Sequence, residues 1–176
     1  MTEQKQSEVK QIAEQVPALK PLLTNANHID VKTIDSAADL RTFIAGMLSY
    51  MPAWLKFLYG VRGVFVRLLG MRQEGAGLLR PLRPTDISFS PGDTAMIFKV
   101  TMAEPDTYWV GEAADTHLIA YMGVIAEPLA QGSRYHVATI VHYRHWTGPV
   151  YFNVIRPFHH LVVWQMMKAG AQASPG

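Results

Sequence analysis

The sequence predicts an α+β fold in which a curved antiparallel sheet packs around one long C-terminal helix. Three observations predict it. Residues 147–168 show apolar side chains at helical spacing, which indicates one long helix. Residues 96–143 contain several strand-like segments with no helix between them, which favours an antiparallel sheet. A strand-like segment at residues 28–34 is followed by two helical patterns, so two helices are expected after the first strand.

The C-terminal helix is predicted to begin at Thr147, whose hydroxyl can cap the first turn, and to end near Gly170. Pro157 lies inside this pattern and removes one backbone hydrogen bond. It therefore predicts either one kinked helix or a boundary between two shorter helices. Because the apolar period continues through the proline, we favour the single helix.

One face of this helix is expected to be buried. At about 100° per residue it gathers Tyr151, Ile155, Phe158 and Val162, while Arg156 and His160 fall on the opposite side. If Phe158 is in the core, its replacement by alanine should cost about 3–5 kcal/mol of folding free energy.

The N-terminal part of the chain predicts a separate small unit. Residues 3–16 form a weakly amphipathic pattern that Pro17 and Pro21 interrupt, so residues 1–26 are expected to be a helix and a linker. Residues 27–170 are expected to form the main domain, and residues 171–176 a disordered tail. In the first strand, Ile29, Val31 and Thr33 alternate with Asp30 and Lys32.

The two helices after this strand are predicted at residues 38–49, capped by Asp35 or Ser36, and at residues 53–69. The second is basic, with Lys56 and Arg67 opposite an apolar stripe. Two interpretations remain open for it: a core-facing helix, which we favour, and a helix on a membrane surface.

A Gly-, Pro- and Arg-rich segment at residues 71–94 predicts a long loop. Strands are predicted after it at residues 96–102, 108–112, 117–126 and 135–143, and the first of these places Phe98, Val100 and Met102 on one face.

Composition limits the function. The chain has 176 residues, 49% hydrophobic and 17% charged, with a net charge of +2, too small to indicate a nucleic-acid partner. There is no cysteine. The N-terminus lacks the apolar core of a signal peptide, which predicts a cytoplasmic protein. The seven histidines show no zinc-binding spacing, and no cofactor motif is present, so neither a metal nor a cofactor is expected.

Three segments resemble a bacterial branch of unknown function within the START-like, polyketide-cyclase-like (SRPBCC) superfamily. They are PAWLKFLYGVRGVFVRLLGM, GEAADTHL and GPVYFNVIRPFHHLVVWQMM, and the resemblance covers His28 to Met167. Its most specific part is Gly148 and Tyr151 followed by R-P-F-H at residues 156–159. The resemblance implies a helix-grip fold, with a cavity between the sheet and the last helix, and no settled activity.

The sequence departs from the family pattern at two positions. Ala120 stands where the family has a bulky aromatic residue, which implies a roomier cavity. His145 stands where the family tends to have asparagine, so the polar group at this position differs from the family's.

Three functional hypotheses follow. The first is a module that binds a hydrophobic small molecule in the cavity. The second is a cyclase- or dehydratase-type enzyme, and the third is a protein that makes weak contact with a membrane surface through residues 52–69. The expected ligand-binding residues are Phe98, Val100, Met102, Leu118, Ala120, Met122, Thr139, Tyr151, Ile155 and Phe158. The roles of Asp115, His117, His145, Arg156 and His159, and the oligomeric state, stay open.

Overall fold

A computed structural model describes residues 3–58, 60, 81–114 and 117–174. The helices are α1 (Glu3–Gln15), α2 (Lys20–Leu23), α3 (Leu40–Ser49) and α4 (Thr147–Ala171), and residues 53–58 are also helical. The strands are β1 (His28–Ser36), β2 (Thr94–Ala95), β3 (Phe98–Glu104), β4 (Tyr108–Ala114), β5 (Leu118–Pro128) and β6 (Ser133–Tyr143). Short 3₁₀ turns span Pro17–Leu19 and Pro84–Asp86.

The described strands form one antiparallel sheet in the order β1-β6-β5-β4-β3-β2. The sheet is curved and open, α4 lies on one of its faces, and two helices follow β1, which confirms the predicted helix-grip architecture. The end of the predicted helix at 53–69 and much of the loop at 71–94 lie outside the described residues. No helix in the described part of the chain is long and apolar enough to cross a membrane.

The two faces of the sheet are covered differently. The inner face, defined here as the face under α4, carries His28, Asp30 and Lys32 of β1 beside Thr139 of β6. The outer face carries Ile29 and Val31 of β1, and α1 packs on it, whereas Ile34 packs with the inner-face core. Ile12, Val16 and Leu19 form a buried cluster there with Val31, Val110, Ile125 and Ala138. The alternation in β1 is confirmed, and its polar half faces α4.

The cap of α3 differs from the prediction. Asp39, rather than Asp35 or Ser36, caps the helix, because its carboxylate accepts hydrogen bonds from the Thr42 amide at 2.9 Å and the Thr42 hydroxyl at 2.8 Å. Asp35 and Ser36 remain in β1, which pairs with β6 as far as Ser133. The extra strand residues move the helix start toward the C-terminus.

A β-bulge in β3 changes the orientation of one predicted ligand-binding residue. Val100 pairs with Gly111, but Met102 pairs with Val110, so Thr101 is the additional residue. Phe98 and Val100 therefore pack with the inner-face core, whereas Met102 packs in the outer-face cluster. The predicted alternation of Phe98, Val100 and Met102 on one face was wrong for Met102, since the bulge reverses the side-chain alternation after Val100.

Helix α4 runs unbroken through Pro157, which confirms the single helix, and Trp146 rather than Thr147 occupies the cap position. Its buried face lies roughly a quarter turn from the predicted one. Phe152, Val163 and Met167 are buried, whereas Phe158 is 52% exposed. The prediction that Phe158 is buried was wrong, because α4 is apolar on more than one side and its period alone does not fix its rotation.

The C-terminal end of α4 crosses α3 at two glycines. A Cβ atom on Gly170 would lie 2.6 Å from the Phe43 carbonyl oxygen, and one on Gly46 would lie 3.1 Å from the Gly170 Cα. Gly170 thus lies within the helix, which continues to Ala171, and its lack of a side chain allows the backbones of α3 and α4 to approach closely.

We expect Gly170→Ala to destabilise the protein by about 1–3 kcal/mol, because the added methyl group overlaps a backbone oxygen that cannot move independently. Helix propensity alone would favour alanine by about 1 kcal/mol, so the sign of the change is informative. Gly60→Ala is the matched control, since a Cβ atom added there would have no atom of the described residues within 4 Å. Urea denaturation measures both, and stabilisation by Gly170→Ala would contradict the close crossing.

The two phenylalanines of α4 should respond oppositely to truncation. Phe152→Ala should lower the free energy of unfolding by about 3–5 kcal/mol, because Phe152 is only 3% exposed. Phe158→Ala should lower it by less than about 1 kcal/mol, as for other surface positions. Chemical denaturation of the two variants side by side checks the rotation of the helix, and equal losses would show that it is wrong.

Candidate functional site

A group of polar side chains lies on the inner face beneath the middle of α4. It consists of Asp30 and Lys32 from β1, Thr139 from β6, and His159 and His160 from α4. We call these five residues the polar cluster. Three elements supply it: β1, and the consecutive elements β6 and α4, which are about a hundred residues from β1 in the chain.

Strand register and helical geometry bring the cluster together. Asp30 and Thr139 are direct partners across the β1–β6 pair, so their side chains stand together on the inner face. Consecutive helical side chains diverge by about 100°, so the two adjacent histidines of α4 reach different strands. His159 reaches Thr139 of β6, with 3.3 Å from Nε2 to Oγ1, and His160 reaches Asp30 of β1.

Asp30 is the most buried charged group of the cluster, at 2% exposure. The Lys32 ammonium donates to its Oδ2 at 2.6 Å, and Nδ1 of His160 lies 3.1 Å from the same oxygen. The Lys32 ammonium also lies 3.2 Å from Nδ1 of His160, so this nitrogen donates if it bonds to Asp30 and accepts if it bonds to Lys32. The arrangement can therefore present one imidazole nitrogen and one ammonium to a bound molecule.

The polar cluster lies between two apolar groups. Toward the start of α4, Tyr151 and Phe152 pack with Leu118 and Val141, and the ring of His28 lies 4.8 Å from that of Phe152. Toward its end, Val163 and Met167 belong to the main core with α3 and the inner face of the sheet. Charged groups are thus enclosed by apolar side chains along the helix axis.

His159 is held in its neutral form. Burial lowers its pKa to about 4, and the neighbouring His160 contributes in the same direction, while Asp30 opposes the shift. A neutral imidazole can exchange donor and acceptor roles with the Thr139 hydroxyl.

Most of the predicted ligand-binding residues meet on this side of the sheet. Phe98, Val100 and Met122 belong to the main core, and Leu118, Ala120, Tyr151 and Ile155 to the group at the start of α4, while Thr139 belongs to the polar cluster. Met102 lies on the outer face and Phe158 points away from the sheet. The structure therefore brings eight of the ten together and separates two.

The histidines before α4 have a different position. The Thr147 hydroxyl oxygen lies 2.5 Å from Nδ1 of His117 and 3.0 Å from Nδ1 of His145. A Cβ atom on Gly148 would lie 2.8 Å from the His117 carbonyl oxygen, so the start of the helix is pressed against β5. His117 and His145 thus hold the start of α4 in place through the Thr147 hydroxyl. Asp115 lies outside the described residues, and Arg156 is exposed.

Sequence reasoning missed Asp30, Lys32, Phe152 and His160 as site residues, and it placed His160 on the side of α4 opposite the buried face. A signal for the first two exists in α1, whose buried side chains Ile12 and Val16 need an apolar partner surface. The apolar half of β1 provides that surface, which turns its polar half toward α4. Among the described residues, no group of three or more His, Asp or Glu side chains is arranged to hold a metal ion.

The depressed pKa of His159 predicts a loss of stability in mild acid. The His159 ring binds a proton with a pKa near 6.5 in the unfolded state and near 4 in the folded state. The stability that the neutral ring contributes is therefore fully present above pH 6.5 and is lost as the pH falls toward 4. At about 1.4 kcal/mol per pH unit, this loss approaches about 3 kcal/mol.

Urea denaturation at pH 7 and pH 4 measures this loss, and His159→Gln should remove most of it. His145→Gln is the control, because His145 is exposed. The same pH dependence in His159→Gln and in the unmodified protein would contradict the assignment.

Comparison with known proteins places the chain in a family. Solved structures that resemble it include an uncharacterised protein from Rhizobium leguminosarum, with 10% identity, a TM-score of 0.44 and coverage of 82% of this chain and 94% of that one. A Polyketide_cyc-like protein from Corynebacterium glutamicum has 13% identity, a TM-score of 0.36 and coverage of 81% and 79%. No curated protein matches the sequence. Residues 22–166 match the family described as "Protein of unknown function (DUF2867)", and the chain belongs to that family.

Proposed function

We propose that this protein binds a small molecule, with an apolar body and one neutral polar group, between the inner face of the sheet and α4. The observation that carries the proposal is the polar cluster, in which the buried Asp30 and Thr139 lie with partly exposed cationic and imidazole groups between two apolar groups. Ligand sites commonly combine an apolar lining with a few converging polar groups.

The energetics of the cluster favour a role in recognition. Removing a carboxylate and an ammonium from water costs several kcal/mol per ion, and apolar residues of similar size are often as stable in such positions. Placing Asp30 and Lys32 under a helix therefore costs free energy that apolar residues in the same space would not cost. Local departures from the most stable packing concentrate at functional sites.

Access to the inner face is supported by two partly exposed apolar residues. Ala120 of β5 and Ile155 of α4 pack at the edge of the apolar group at the start of α4, and solvent reaches both. Ala120 lies between Leu118 and Met122 along the inner face of β5, and its side chain occupies less space above the strand than either of theirs.

The charges of the cluster indicate the polar group of the ligand. The opposite charges of Asp30 and Lys32 lie 2.6 Å apart and largely cancel, so an ionised ligand group would lack a counter-ion. A hydroxyl or carbonyl group can instead accept a hydrogen bond from Lys32, and a hydroxyl can also pair with His160 as either donor or acceptor. We infer a neutral ligand of this kind.

The proposal is tested with the full-length protein by native mass spectrometry for a co-purified compound and by titration with Nile red, a neutral apolar dye that carries a carbonyl group. Ala120→Phe should weaken dye binding at least about tenfold, because the ring would occupy the proposed binding space on the inner face. Ala114→Phe is the matched control, since Ala114 is an exposed alanine at the end of the neighbouring strand.

Asp30→Asn should also weaken binding while leaving the apolar surface intact. A thermal melt of each variant shows that it is folded. Equal dye affinity in the Ala120→Phe variant, the Ala114→Phe variant and the unmodified protein would reject a binding site on the inner face.

A further inference from the structure

The side of α4 that faces away from the sheet is apolar. Six large side chains along it are 37–74% exposed, which we call the apolar row: Trp146, Val150, Val154, Phe158, Leu161 and Trp164. They follow one another at intervals of three or four residues, so they form one continuous line along the helix. At 1.5 Å per residue the row is about 27 Å long.

The apolar row is separate from the side chains that hold α4 in the fold. Phe152, Val163 and Met167 bury the opposite side of the helix against the core. Single exposed apolar residues are ordinary on a protein surface, but a contiguous apolar patch indicates an interaction site. The packing among the described residues does not require this row to be apolar.

Both ends of the row carry a tryptophan and a cation. Arg144 precedes Trp146, and the ammonium of Lys168 lies 5.5 Å from the centroid of the Trp164 ring. The last acidic residue of the sequence is Glu127, so α4 and its flanks carry only positive charge. The surface is thus apolar along its middle and basic at its ends.

We propose that the apolar row docks onto an anionic phospholipid bilayer, with α4 lying parallel to its surface. The apolar side chains would enter the boundary between headgroups and acyl chains, where amphipathic helices with aromatic and basic residues bind. Tryptophan suits this boundary because its ring is apolar and its N–H is polar. Arg144 and Lys168 would meet the lipid phosphates.

The charges argue against a second copy of the chain as the occupant. An antiparallel pair of α4 helices would bring Lys168 of one copy toward Arg144 of the other, and a parallel pair would bring each cation toward its equivalent. No acidic residue on α4 could neutralise either contact. Like charges across an interface are unfavourable, whereas an anionic lipid surface neutralises both.

Flotation with vesicles tests the proposal. The full-length protein should bind phosphatidylcholine vesicles that contain phosphatidylserine, and bind vesicles of phosphatidylcholine alone more weakly. Phe158→Ser combined with Leu161→Ser should reduce binding at least about tenfold. Both positions are about half exposed, so the fold should tolerate the change. Ile97→Ser is the matched control, an exposed apolar residue between β2 and β3.

Charge-reversal variants provide a second test in the same flotation experiment. Arg144→Glu combined with Lys168→Glu should abolish the preference for phosphatidylserine, while Lys99→Glu, an exposed control on β3, should not. Absence of binding, or equal binding by the serine variant, would overturn the proposal. So would a dimer in light scattering that the serine substitutions dissociate, because the row would then be an interface between copies.

Discussion

The position of α4 depends on close backbone contacts at both of its ends. Gly148 packs against the carbonyl of His117 at the start, and Gly170 packs against the carbonyl of Phe43 near the end. Neither contact leaves space for a Cβ atom, so together they fix the height and the rotation of the helix above the sheet. That rotation brings His159 and His160 over Thr139 and Asp30, and it turns the apolar row outward.

Much of the architecture could be predicted because it follows from local patterns. The period of two in β5 and β6, the helical period through Pro157 and the absence of helices between the later strands are all visible in the sequence. The rotation of α4 about its axis and the register of β3 against β4 were harder to predict. The face of α4 that is buried and the bulge at Thr101 both depend on contacts between distant segments, and a local period carries no information about them.

The candidate site shows the same division. Leu118, Met122 and Tyr151 could be placed on the inner side because each follows the alternation of its own element. Asp30 and Lys32 look like solvent-facing residues of an edge strand when β1 is considered alone. Their burial results from the partner that α1 provides for the opposite face of β1, and from α4 lying above them. The polar cluster is thus a tertiary feature made from residues that appear ordinary in sequence.

The pairing of β1 with β6 has a consequence for how the chain acquires its structure. His28 pairs with Val141 and Ser36 with Ser133, so the two strands are about a hundred residues apart in the chain. Joining them closes a long loop, whose entropic cost slows folding. During synthesis β1 has no β-partner until the ribosome has released β6. The carboxylate of Asp30 therefore remains hydrated through most of translation, and it loses its water only when the last helix is added.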